Sequence, residues 1–386
     1  MEGAIAMSQT PGRLTVPLMD IREQNRRIWD ELQEAFETVA RDAQFILGPA
    51  VEQFERAFAE YLGRGQCIGL NNGTSALHMA LRAYDIGPGD EVITTPLTWI
   101  STSWAISYCG AKPVYVDVDP VTYTIDPALI ERAITRRTKA IVPVHIYGQA
   151  CDMGELCRIA DEHGLVLIED AAQAHGAVYQ GRRIGGFGHA ACFSFYPGKN
   201  LGAFGEGGAV VTDDEQVAAR IRSLRDHAQA GRHHHVELGY NTRMEGIQGA
   251  VLGVKLRHLD RWNAMRGVHA ARYRDLLSGV YGLQLPHAPL PEAHVWHLFV
   301  VLLDGIDRQR LAARLAEHGI ATGVHYPTPV PLQPAYAHLG HRPGDFPVAE
   351  DVMRRCLSLP MYPELSAAQI EHVAAGLSAA LRRKAA

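Results

Sequence analysis

The sequence predicts an α/β protein: a mostly parallel, seven-stranded sheet flanked by helices, with a smaller C-terminal α/β domain. Three observations lead to that reading. Short apolar runs recur through the first two-thirds of the chain, several of them apolar almost throughout, as strands covered on both faces must be. Segments of helical periodicity alternate with many of them, which is the pattern of strands joined by crossover helices. Beyond about residue 260 the elements shorten and proline-rich loops separate them.

The strand candidates are QCIGL (66–70), EVITT (91–95), KPVYVDV (112–118), AIVPVHIY (140–147), LVLIED (165–170), ACFSF (191–195) and GAVVT (208–212). Helix candidates between them include TSALHMALRAY, PALIERAITRRT and MGELCRIADEHG. Residues 241–277 read as one helix long enough to link two domains. HVWHLFVVLL then reads as a strand, and RQRLAARLAEHGI and AAQIEHVAAGLSAAL as helices. The expected division is a disordered leader over 1–14, a large domain over 15–255 and a small domain over 256–386.

Composition excludes several classes. With 386 residues, 47% of them hydrophobic and 20% charged, the chain can bury a sizeable core. A net charge of −5 gives no general pull toward nucleic acid or an anionic membrane. No apolar run reaches the roughly 18 residues of a spanning helix. The start, MEGAIAMSQTPGRL, lacks the basic and long apolar regions of a secretory signal. Six cysteines scattered without CxxC pairs point to reduced thiols in a cytoplasm rather than to disulfides or zinc. In RHHHVELGYN adjacent histidines point in different directions on any regular element, with no acidic or cysteine partner at ligand spacing, so no metal is expected.

The segment ACFSFYPGKNLGAFGEGGAVVTDD places Lys199 in a glycine-rich turn between two strand candidates. LVLIED ends in Asp170, an acid costly to bury unpaired, so a charged or protonated partner is expected there. A lysine and an acid so placed suit pyridoxal 5′-phosphate: the amine bonds the cofactor aldehyde and the acid pairs with the protonated ring nitrogen. In NNGTSALHMAL, Gly73 allows a turn while Thr74 and Ser75 offer hydroxyls and N–H groups at a helix start, which suits a phosphate dianion as well as an ordinary cap. Trp99 follows the second strand, where its indole suits stacking on a pyridine ring or packing in the core. Gln173 reaches the same region as Asp170 and can bond the ring hydroxyl, and Ser194, five residues before the lysine, is a candidate phosphate donor.

These motifs, with TTPLTWISTSWA, LIEDAAQAHGA and LGYNTRMEGIQGAVL, resemble the nucleotide-sugar aminotransferases of the DegT/DnrJ/EryC1/StrS family, of aspartate-aminotransferase fold type I, in order from about residue 15 to 380. The resemblance implies that Lys199 anchors the cofactor and shuttles a proton, and that Asp170 keeps the ring nitrogen protonated. It implies Trp99 as the stacking aromatic, Gln173 as the partner of the ring hydroxyl, and Thr74, Ser75 and Ser194 as phosphate ligands. Asn241 would reach the phosphate from a neighbouring subunit and Arg243 would meet substrate there, implying a homodimer with shared active sites. His325 and Tyr326, in HYPTPVPLQPAY, would face the nucleotide sugar.

The implied reaction is a two-step transfer through pyridoxamine phosphate, from an amino acid, expected to be L-glutamate, to a keto group of a nucleotide-linked deoxysugar. YPGKNLGA with HYPTPVPLQPAY tilts this toward C3 of a dTDP-3-keto-6-deoxyhexose, although Pro331 stands where such loops often carry histidine. The alternatives are a 4-keto sugar or cyclitol aminotransferase, a pyridoxal-phosphate lyase, and a non-catalytic regulator.

Overall fold

The computed structural model describes residues 14–288 and 294–382; the expected leader over 1–14 lies outside them apart from Leu14. In chain order the first strands are β1 (Gln66–Leu70), β2 (Glu91–Thr94), β3 (Lys112–Tyr115), β4 (Thr138–Ile141) and β5 (Val166–Asp170). A two-stranded hairpin, β6 (Val178–Tyr179) and β7 (Arg182–Arg183), precedes β8 (Ala190–Ser194) and β9 (Gly208–Thr212). Apart from the hairpin these make one seven-stranded sheet in the order β1-β9-β8-β5-β4-β2-β3. Only β9 runs against its neighbours, pairing antiparallel with β1 and with β8. Apolar clusters cover both faces, which is why the central strands carry side chains such as Ile168, Phe193 and Val210 with almost no exposure.

A second sheet, antiparallel, joins β10 (Leu283–Gln284), β11 (Phe299–Leu303) and β12 (Cys356–Leu359). It shares a separate apolar core with Tyr273, Leu315 and Val373, and Val16 from the start of the described chain packs into the same core.

Several expected elements are cut short for local reasons. AIVPVHIY ends as a strand at Ile141 because Pro143 has no N–H for the ladder, and Val144 then meets Asp170 only as an isolated bridge. PALIERAITRRT forms two 3₁₀ turns, Pro127–Leu129 and Glu131–Ala133, rather than an α-helix. There Ile134 turns extended and the Thr135 hydroxyl donates to Glu91 at 2.6 Å, committing the chain to enter β4. The expected 241–277 helix is two helices, Gly246–Leu256 and Leu259–Leu277. Residues 241–243 are instead extended along the end of β1, where Arg243 bridges Leu70 and Asn71 N–H donates to Thr242 O at 2.9 Å. HVWHLFVVLL is a strand only over Phe299–Leu303, because Val295 and Leu298 bond back to Gly148 and Tyr147.

Glu169, inward from the end of β5, is fully buried. Its carboxylate accepts N–H bonds from Gly185, Phe187 and Gly188 at 2.8–2.9 Å, and His145 Nε2 lies 3.3 Å away. Burial pushes its pKa up, but the His145 bond and these N–H donors outweigh it and hold it below the usual value. His145 Nδ1 accepts from Cys151 N–H at 3.0 Å, which leaves the ring proton on Nε2 for Glu169. Glu169→Ala would strand these donors and is expected to cost about 3–5 kcal/mol of stability, read as a fall in the urea midpoint; a loss under about 1 kcal/mol would contradict this role.

Candidate active site

The ends of β1, β5 and β8 and the turn after β2 converge on one region. β1 leads through Asn71 and Asn72 into the helix Gly73–Ala83. Asn72 caps that helix, its Oδ1 accepting from Ser75 N–H at 2.8 Å while its carbonyl takes Ala76 N–H. The N–H groups of Gly73 and Thr74 have no partner among the described residues, so they stand open as donors. A Cβ on Gly73 would come within 2.6 Å of Ser194 Cβ, so only glycine lets the end of β8 close on this helix start. Thr74, Ser75 and Ser194 are thereby brought together around an open helix N-terminus. Such a cup suits a phosphate dianion.

Asp170, at the end of β5, is 4% exposed. Its Oδ2 accepts from Thr102 Oγ1 at 2.8 Å and its Oδ1 from Ala172 N–H at 3.2 Å. Burial raises its pKa above the usual carboxylate value, while the Thr102 bond, the Ala172 N–H and the Lys199 charge work against that rise. A carboxylate so placed is ready for a protonated ring nitrogen.

Lys199 follows β8 in a turn closed by its own N–H to Tyr196 O at 2.8 Å. The loop beyond it is clamped at several points. Gly202 leaves no room for a Cβ, which would meet Pro197 O at 2.3 Å. The fully buried Lys255 donates to Gly202 O at 2.9 Å, and Gln248 Oε1 accepts from Phe204 N–H at 2.9 Å. Asn200 Nδ2 bonds Asn263 Oδ1 at 2.8 Å and Val295 O at 3.0 Å. Although the Lys199 side chain keeps some exposure, dense surroundings push its ammonium down to about 8, with Asp170 pulling the other way. Burial, with the Lys199 charge added, also holds His175 near 3 and His325 near 4, and His297 well below its usual value, so these three imidazoles are neutral.

Trp99 is 55% exposed rather than packed in the core, and its ring lies 5.5 Å from that of Tyr326, centroid to centroid. Gln173 is buried; it accepts from Tyr147 N–H at 2.6 Å and donates to Tyr326 Oη at 3.2 Å. His325 Nδ1 bonds Ser358 Oγ at 2.8 Å, and its carbonyl accepts from Tyr147 Oη. Asn241 and Arg243 are not drawn into this group. Arg243 bonds Asn241 Oδ1 at 3.2 Å and pairs with Asp226 at 3.0 Å, and neither side chain bonds Lys199, Asp170 or the Gly73–Ser75 turn among the described residues.

Thr102, Tyr147, Lys255 and Ser358 are contacts that sequence reasoning did not single out. Thr102 stands three residues after Trp99 at a helix start, a spacing that puts both on one turn and offered a signal. Tyr147, Lys255 and Ser358 lie far from their partners in sequence, and no local pattern marks them.

Comparison with known proteins agrees with this geometry. Residues 26–378 match the model of the DegT/DnrJ/EryC1/StrS aminotransferase family. The chain is 46% identical, over 92% of its length and 93% of the relative's, to a dTDP-3-amino-3,4,6-trideoxy-alpha-D-glucose transaminase of Streptomyces venezuelae. It is also 46% identical, over 93% of its length and 97% of the relative's, to a pleiotropic regulatory protein of Geobacillus stearothermophilus. The crystal structure of S. venezuelae DesV in complex with ketimine intermediate superposes with a TM-score of 0.92 at 44% identity, covering 96% of this chain and 99% of that one.

The fold and these residues define a pyridoxal-phosphate-dependent transferase of fold type I. The chain belongs to the DegT/DnrJ/EryC1/StrS family and is a sugar aminotransferase. The residues present fit the cofactor: two unpartnered N–H groups at a helix start, a buried carboxylate and an amine of depressed pKa. When bound, it supplies an electrophilic aldehyde and an electron-accepting ring.

The neutral amine fraction of Lys199 grows as pH rises through about 8, so labelling of Lys199 in cofactor-free protein is expected to reach its half-maximal rate there, as mass spectrometry of the labelled peptide reads it. Because the Asp170 charge favours the ammonium, Asp170→Asn should move that midpoint lower. A midpoint near the ordinary 10.5 would contradict the burial argument.

Proposed function

We propose that this aminotransferase moves an amino group from L-glutamate to C3 of a nucleotide-linked 3-keto-6-deoxyhexose, with dTDP as the carrier. The observation that carries the chemistry is Lys199, of depressed pKa, set with the buried Asp170 and the open Gly73–Ser75 helix start. The S. venezuelae relative, a dTDP-3-amino-sugar transaminase, supports the C3 reading and the carrier, as do YPGKNLGA and HYPTPVPLQPAY.

In this reading Lys199 would anchor the cofactor and its Nζ would carry the proton that leaves the donor's Cα. Asp170 holds the proton on the ring nitrogen, and the open N–H groups of Gly73 and Thr74 with the hydroxyls of Thr74, Ser75 and Ser194 hold the phosphate. Trp99 would cover the ring face, Gln173 would meet the ring hydroxyl, and His325 and Tyr326 would contact the sugar nucleotide. The neutral His175, His297 and His325 leave the lysine as the group beside Asp170 that changes charge near neutral pH.

The enzyme acts as a cytoplasmic homodimer in which Asn241 and Arg243 of each chain complete the other's site. Their position supports this: the exposed Asn241 and the half-buried Arg243 are held by Asp226 and each other rather than by their own chain's lysine and acid.

A panel of 3-keto and 4-keto deoxysugar nucleotides, with glutamate as donor and mass spectrometry of the products, tests the substrate. Amination of the 3-keto compounds is expected, and preferential turnover of the 4-keto compounds would overturn the regiochemistry. The shared sites are tested by mixing inactive Lys199→Ala and Asn241→Ala chains: random pairing restores about a quarter of wild-type activity if sites are shared across a two-fold interface, and none otherwise.

A further inference from the structure

Residues 98–102, the end of the turn after β2 and the first two residues of the helix Ser101–Tyr108, hold more of the site than the aromatic Trp99. Thr102 is 1% exposed and Asp170 4%, so their 2.8 Å bond is closed to water. The Thr102 hydroxyl has a single proton and three oxygen neighbours: Asp170 Oδ2 at 2.8 Å, Thr98 Oγ1 at 2.9 Å and Trp99 O at 3.2 Å. The carboxylate is the nearest and the strongest acceptor, so the proton points to Asp170 and the Thr98 hydroxyl donates to Thr102 in turn. The other carboxylate oxygen has one donor, Ala172 N–H at 3.2 Å. Among the described residues Thr102 is therefore one of the two donors to this buried acid.

The neighbouring residues point the same way. Ser101 Oγ accepts from Thr74 Oγ1 at 2.8 Å, which ties the open helix start to this segment. Trp99, between the two threonines, is exposed on it. One five-residue segment thus touches the phosphate cup through Ser101, presents the indole, and holds the acid through Thr102.

We propose that Thr102 is a positioning residue of the transamination, acting through Asp170, and that the hydroxyls of Thr98, Ser101 and Thr102 keep acid, indole and phosphate cup in register. The proposal rests on the cofactor reading given above. Thr102 touches no reacting atom. Its work is to hold the Asp170 carboxylate where the ring nitrogen meets it and to give that oxygen a donor that survives burial.

The test compares wild-type, Thr102→Val and Thr102→Ser holoenzymes by pH titration of the bound cofactor's absorbance band and by kcat and KM for glutamate. Valine keeps the shape and removes the donor. With the acid less well held, the ring nitrogen gives up its proton more readily, and losing that positive charge moves the band's titration midpoint upward. The expected result for Thr102→Val is that upward shift with kcat about 10–100-fold lower and KM within about twofold. Thr102→Ser, which restores the donor, should restore both. A Thr102→Val enzyme that titrates and turns over as wild type, or a Thr102→Ser enzyme that restores neither, overturns the proposal.

If Thr102→Val does not fold, Thr98→Val carries the test: a smaller upward shift supports the relay and an unshifted midpoint overturns it. Asp170→Asn separates the two levels. Wild-type spectrum and turnover in that variant sink the cofactor reading itself, whereas a large loss there beside an unchanged Thr102→Val sinks only the relay.

Discussion

A carboxylate at the end of a strand buried on both faces is costly unless something positive or protonated meets it. Asp170 is that carboxylate, and among the described residues its donors are two neutral ones, the Thr102 hydroxyl and Ala172 N–H. Lys199 lies near enough for its charge to lower the acid's pKa, and the acid in turn favours the ammonium. The site is therefore built around an acid whose main partner is to be a protonated ring. The elements around it are arranged so that such a ring finds a phosphate cup at one end and an amine at the other.

That arrangement needs rigid placement, because the amine, the acid and the cup come from three different strand ends. The clamps are distributed. Glu169 gathers the Gly185–Gly188 loop beneath β5, Lys255 and Gln248 fix the loop after Lys199, and Asn200 ties the lysine's neighbour to Asn263 and Val295 O. Several of these groups are polar and almost wholly buried, and their bonds are the ones a loosened structure would leave unmade. Stability and site geometry are thus held by the same side chains.

Much of this was legible in the sequence because the physics is local. Seven apolar runs predicted seven strands of one sheet, and the glycines around Lys199 marked a backbone too close-packed for side chains, as Gly202 bears out. Gly73, Thr74 and Ser75 were legible as a helix start, but the cap is Asn72 rather than the Thr74 or Ser75 hydroxyl. What escaped was non-local. The break between Gly246–Leu256 and Leu259–Leu277 leaves no mark in a periodic apolar pattern, and residues 241–243 pair with β1 only because the chain returns there. The false helix at 127–138 had helical periodicity, but its Thr135 and Thr138 were needed at the entry to β4. Thr102 was hidden by the commonness of threonine at helix starts, and its partner stands 68 residues away.

The protonation state of the bound cofactor's ring nitrogen tests the central claim most directly. It can be read from the ¹⁵N chemical shift of ring-labelled cofactor in the wild-type enzyme and in Asp170→Asn. The account predicts a protonated nitrogen in the wild type near neutral pH and loss of that proton when the carboxylate is neutralised. An unprotonated ring nitrogen in the wild type, or one indifferent to Asp170→Asn, would contradict it.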